Sequence, residues 1–132
     1  VSDVESEFPT FNNTLLGTKN NVTYTACSVD NGANSFFNAI SRVTFDGHAD
    51  VVTLQPGYYC SEPVFVPKVD AKGEDDGYLM EVVYNGFEHK SELLIFRADA
   101  AFEQVCSLKL KHHLPHQFHG FYTPEVFPAP GS

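Results

Sequence analysis

YLMEVVYNGFEHKSELLIFRA, residues 78 to 98, reads as two strands joined by a turn. Asn85-Gly86 closes the first run, because an asparagine-glycine pair accepts the backbone angles that tight hairpins require, and the chain resumes as SELLIFR after a short polar stretch. Leu93-Leu94-Ile95-Phe96 is apolar at consecutive positions, the pattern of a strand covered on both faces, so this strand is expected in the middle of a sheet. In the segment that follows, Cys106, Leu108 and Leu110 alternate with Ser107, Lys109 and Lys111, which predicts a strand near a sheet edge.

The same grammar extends to both sides. Asp46-Gly47 separates two β-rich runs and predicts a hairpin joining 35–45 to 49–55. Further strands are expected over 22–29, 62–67, 78–85, 91–98, 103–110 and 118–123. Helical periodicity never lasts more than a turn or two, so the fold class is all-β. Periodicity alone does not choose among a sandwich, a barrel and part of a propeller. The acidic turn AKGEDDG at 71–77 and the tail PAPGS at 128–132 read as solvated connections within one domain.

Composition narrows the function. The 132 residues are 42% hydrophobic and 19% charged, the balance of a folded globular domain. Apolar runs are far shorter than the roughly 20 residues a membrane-spanning helix needs. A formal net charge of -9 without a basic cluster argues against nucleic acid as a partner. Cys27, Cys60 and Cys106 are too few and too scattered for a disulfide scaffold or a zinc site, and read as reduced, buried thiols. With no basic and apolar leader at the start, this favours the cytoplasm over secretion. Asn12-Asn13-Thr14 and Asn21-Val22-Thr23 would accept glycans only in a secreted chain.

Five of the six histidines follow residue 88: His89, His112, His113, His116 and His119. His112 and His116 are four apart, but Leu114-Pro115 between them breaks a helix, so the pair is not a helical zinc motif. Glu7 and Glu62 each stand just before a proline turn, in Glu7-Phe8-Pro9 and Ser61-Glu62-Pro63. Read functionally they orient a ligand histidine, and read plainly they are strand-end charges. There is no nucleophile elbow and no phosphate-binding glycine loop.

Four collinear segments resemble the end of the carotenoid cleavage oxygenase family: ESEFPTFN at 5–12, YCSEPVFVPK at 59–68, GEDDGYLMEVVYN at 73–85 with SELLIFRA at 91–98, and LPHQFHGFY at 114–122. The resemblance implies the C-terminal blades of a seven-bladed β-propeller in which four histidines hold Fe(II). His119, in Phe118-His119-Gly120, matches the last of those ligands. Glu62 and Glu7 match carboxylates that accept the second imidazole N–H and fix the ring. Gly120 would let the backbone turn close to the metal, and Phe118 would pack beside it. His112, His113 and His116 match no ligand, and His48 and His89 adjoin hairpin turns at the wrong strand end. The implied reaction is cleavage of a conjugated C=C bond by O2, on an apolar polyene or a stilbene-like alkene, with peripheral membrane contact in the full-length protein. One branch of the family isomerises retinoids instead. Family members are several times longer, so the segment is expected to be a fragment that cannot build the site alone. The competing reading is a β-rich binding module or inactive fragment without metal.

Overall fold

The computed structural model describes residues 5–30 and 36–128. Its strands are β1 (Glu5–Thr10), β2 (Val22–Ser28), β3 (Ala39–Thr44), β4 (Ala49–Thr53), β5 (Tyr58–Cys60), β6 (Val64–Pro67), β7 (Gly77–Asn85), β8 (Lys90–Arg97) and β9 (Gln104–Lys109). They form two antiparallel sheets. One runs β1-β2-β3-β4; the other runs β5-β7-β8-β9, with β6 also paired to β7. Because β5 and β6 lie on the same edge of β7, they are two halves of one interrupted strand. Each sheet is therefore a four-stranded meander.

Both expected hairpins form. Gly47 takes a φ of 90°, and Thr44 and His48 close a three-residue loop, which is longer than a two-residue primed turn. At the other hairpin Asn85 acts through its side chain, accepting the amides of Phe87 and Glu88. The run Leu93 to Phe96 is central, and β9 lies at an edge, as their patterning predicts. Two strands went unread. β1 contains a proline, and β5 is only three residues long.

The strand expected over 118–123 does not form, and residues 111–128 contain neither strand nor helix. Pro115 and Pro124 carry no backbone N–H. Side chains also take over the sheet's role there: the Leu114 amide donates to Ser91 Oγ at 2.8 Å and the Gly120 amide to Glu62 at 2.7 Å. Residue 35, the expected start of the third strand, lies outside the described residues. Phe37 instead makes an isolated bridge to Cys60 that links the two sheets.

The core lies between the sheets. Val22, Tyr24, Ala26, Ile40 and Leu54 from one side meet Cys60, Phe65, Leu79, Val83, Leu94 and Phe96 from the other. Tyr24 stacks on Phe65 with ring centroids 5.6 Å apart, and its hydroxyl donates to the Ala98 carbonyl at 2.7 Å. The expected solvated turn at 71–77 is instead a lock between sheets. Glu74 accepts the amides of Asn21 and Val22, both at 2.6 Å, and Asp75 pairs with Arg42 at 2.6 Å. Asn12 is buried and donates to the Glu74 carbonyl, so its side-chain nitrogen is already used. Cys27, Cys60 and Cys106 are free thiols. Burial pushes the Cys27 thiol up to about 11 and the Cys60 thiol higher still, so both stay protonated and unreactive.

Among the polar residues buried with the core, a carboxyl group on β7 is fully enclosed. Glu81 has no exposure, and burial, with the charge of Glu62 nearby, holds its carboxyl well above the usual range. An acid whose folded value is raised destabilises the fold increasingly as pH climbs from the unfolded value toward the folded one. Glu81→Gln is therefore expected to match the parent in acid and to gain on it as the pH rises from acid toward neutral, by at most ~1.4 kcal/mol per pH unit. Thermal melts across that range check this; a constant difference would contradict it. Glu74→Ala should cost about 2 kcal/mol, read from the denaturant midpoint, because it strands two backbone amides that now share a carboxylate.

Candidate metal-ligand site

Both Glu-containing proline motifs are bulges on edge strands. On β1, Glu7 pairs with Ala26 and Thr10 with Tyr24, so Phe8 and Pro9 stand opposite Thr25 alone. Along β7, Cys60 pairs with Val83 and Val64 with Met80, so Ser61, Glu62 and Pro63 span what Glu81 and Val82 span. Proline is tolerated at such places because an edge or bulge position can do without the N–H. A bulge re-aims the side chains it carries. Here both bulges turn toward the tail that holds His119.

Glu62 grips that tail at two points. Its Oε1 lies 3.1 Å from His119 Nδ1, and its Oε2 accepts the Gly120 amide at 2.7 Å. An ionised carboxylate only accepts, so the imidazole proton sits on Nδ1 and the lone pair on Nε2. The Glu62 side chain is 14% exposed and that of His119 is 65% exposed, so the carboxylate is sheltered while the imidazole faces outward. Two phenyl rings fix the imidazole laterally. Phe118 meets it with centroids 4.4 Å apart and Phe8 at 5.9 Å, both edge-on.

Phe8 reaches this position through a left-handed backbone, φ 56°, which a bulky residue before a proline rarely adopts. Its ring also packs edge-on against Phe37 and Phe118. A strained residue persists only when its surroundings hold it, and here three aromatic contacts do so. Glycine at 120 is not demanded by space: an added Cβ would meet only Val64 Cγ2, at 3.9 Å. What Gly120 supplies is its N–H.

The other expected residues are placed elsewhere. Glu7 is exposed on β1 and makes no hydrogen bond to His119. His48 Nε2 pairs with Asp50 at 3.0 Å beside its hairpin, and His89 Nδ1 bonds the Tyr84 hydroxyl at 2.8 Å. His116 stacks on Phe36 with centroids 4.5 Å apart and meets Tyr84 edge-on, which fastens the tail to the sheet. Among the described residues, no three His, Cys, Asp or Glu side chains come together to hold a metal ion.

The donor set therefore fits one ligand and no more. His119 offers a neutral Nε2 backed by a carboxylate, the arrangement that raises ligand basicity and sets ring direction. Sequence reading had no handle on Phe8, whose role depends on a bulge, or on Glu81, whose only signal is a lone carboxylate in an apolar strand.

The chain is similar to known proteins over most of its length. The profile of the family described as "Retinal pigment epithelial membrane protein" matches residues 1–124. The chain is 32% identical over 119 residues to the apocarotenoid-15,15'-oxygenase of Synechocystis sp., covering 89% of this chain and 24% of that protein. It is 31% identical over 127 residues to a carotenoid cleavage oxygenase of Mycobacterium tuberculosis, covering 92% of this chain and 25% of that one. The structure of cobalt-substituted Synechocystis apocarotenoid oxygenase superposes with a TM-score of 0.80 at 32% identity, over 86% of this chain and 24% of that one. The chain thus spans about a quarter of the length of the relatives it matches. It belongs to the retinal pigment epithelial membrane protein family of carotenoid cleavage oxygenases, and its two meanders are blades of that family's β-propeller.

Proposed function

We propose that His119 is one ligand of a catalytic Fe(II) in an oxygenase that cleaves a conjugated C=C bond of a carotenoid or apocarotenoid, the remaining ligands coming from outside the described residues. The observation that carries this reading is the double grip of Glu62 on the His119 ring and the Gly120 amide. A histidine held this way has its tautomer and direction set before any metal arrives. The relatives' names supply the reaction class: one is an apocarotenoid-15,15'-oxygenase and another a carotenoid cleavage oxygenase.

When bound, ferrous iron would supply the chemistry that activates O2, which side chains alone do not provide. This chain's residues do the positioning. Glu62 keeps the Nδ1 proton in place, so Nε2 presents a lone pair throughout. The Gly120 amide shares the carboxylate and stops it rotating away. Phe8 and Phe118 place apolar rings beside the imidazole, which suits a polyene substrate. Glu7, exposed in the described residues, is free to serve another ligand histidine in the same manner.

In the full-length protein, His119→Ala is expected to abolish stoichiometric iron binding, measured by metal analysis after desalting. Unchanged iron content would refute the assignment. Glu62→Gln should keep the fold and weaken iron binding by about 10- to 100-fold, the usual effect of removing a ligand's hydrogen-bond partner. Product formation in the absence of O2 would replace cleavage with isomerisation as the reaction.

A further inference from the structure

Directly beneath the bulge that carries Glu62 lies the buried carboxyl of Glu81. It sits on the core face of β7 between Leu79 and Val83, and all three have no exposure. Its Oε1 accepts the Ser61 amide at 2.8 Å. The same amide also points to the Val82 carbonyl at 3.3 Å, so the carboxyl is the nearer acceptor. This is where three residues face two, and an interrupted ladder cannot satisfy every amide by regular pairing. The Glu81 side chain adds a shorter bond to the long one that the strand carbonyl supplies. Its other oxygen, Oε2, has no hydrogen-bond partner.

A leucine or valine here would fill the core without leaving an idle polar atom, which ordinarily destabilises a fold. The acceptor is thus present where packing alone would not call for it. We propose that Glu81 is a positioning residue, which holds the Ser61 amide and so fixes the bulge that aims Glu62 at His119. A single peptide link separates the gripped amide from the residue that orients the imidazole. The chain of contacts runs Glu81, Ser61, Glu62, His119. Burial holds this carboxyl well above the usual carboxylate range, which favours the neutral form behind Glu62. The role rests on the reading of His119 as an iron ligand.

Iron affinity of the full-length protein, measured by competition with a chelator, tests both together. Glu81→Gln retains an acceptor oxygen and is expected to bind iron within about twofold of the parent. Glu81→Leu has similar bulk without an acceptor and is expected to bind about tenfold more weakly, with a melting temperature equal to or above the parent's. A purely structural role would move the melting temperature and leave iron affinity alone. Should Glu81→Leu fail to fold, Ser61→Pro removes the donor itself, with its longer contact to Val82 as well, and carries the same expectation for iron affinity. Parent-like affinity without the bond, or equal losses in the Gln and Leu variants, overturns the proposal. His119→Ala separates the two levels. If it keeps iron, the ligand assignment falls and the role of Glu81 with it; if it loses iron while Glu81→Leu does not, only the role of Glu81 falls.

Discussion

Two oxygens of one carboxylate decide the geometry of the whole C-terminal tail. Glu62 accepts from the ring of His119 and from the amide of Gly120, so the tail is tied to a sheet more than fifty residues earlier in the chain. Residues 111–128 form no regular structure of their own, so side-chain ties of this kind are what hold them to the sheets. The tail is then fastened at separate points: Leu114 to Ser91, His116 between Phe36 and Tyr84, and His119 to Glu62. The Leu114 and Gly120 amides, which a strand would otherwise have paired, are satisfied in this way.

The sheets supply the rigid ground for these ties. Tyr24, Phe65 and the Glu74 lock hold the two meanders face to face, and the bulges at Phe8-Pro9 and Ser61–Pro63 then bend their edge strands toward the tail. Strain at Phe8 and a partnerless oxygen on Glu81 lie within this same region. These departures from ideal structure gather around one histidine, which is the motive for reading it as a ligand. The second face of the larger sheet, with Val64, Val66, Met80, Val82, Leu93 and Ile95 only half-buried and Leu108 exposed, has the composition of a blade surface that packs on another layer.

Much of the fold was legible because hairpin chemistry is local. Asp46-Gly47 and Asn85-Gly86 announce their turns, and consecutive apolar residues place β8 in the centre. The misses share one cause. β1 and β5 are edge strands interrupted by prolines, and residues 118–123 alternate like a strand while their partners are side chains far away in sequence. A one-dimensional pattern does not show which donor meets which distant acceptor. For the site, His119 and Glu62 were visible only through resemblance of their short motifs, and the structure joins them. Phe8 and Glu81 act through bulge geometry, which no spacing reveals.

His119 carries the chemistry in this account, with Glu62 setting its direction. X-ray absorption on the iron-loaded full-length protein addresses that directly. Compared with the parent, a His119→Ala protein in large molar excess over iron and not desalted, so that the weakened site holds the metal, should show one imidazole fewer in the iron's coordination shell. An unchanged imidazole shell would mean that the iron never touched His119, and the account would be wrong.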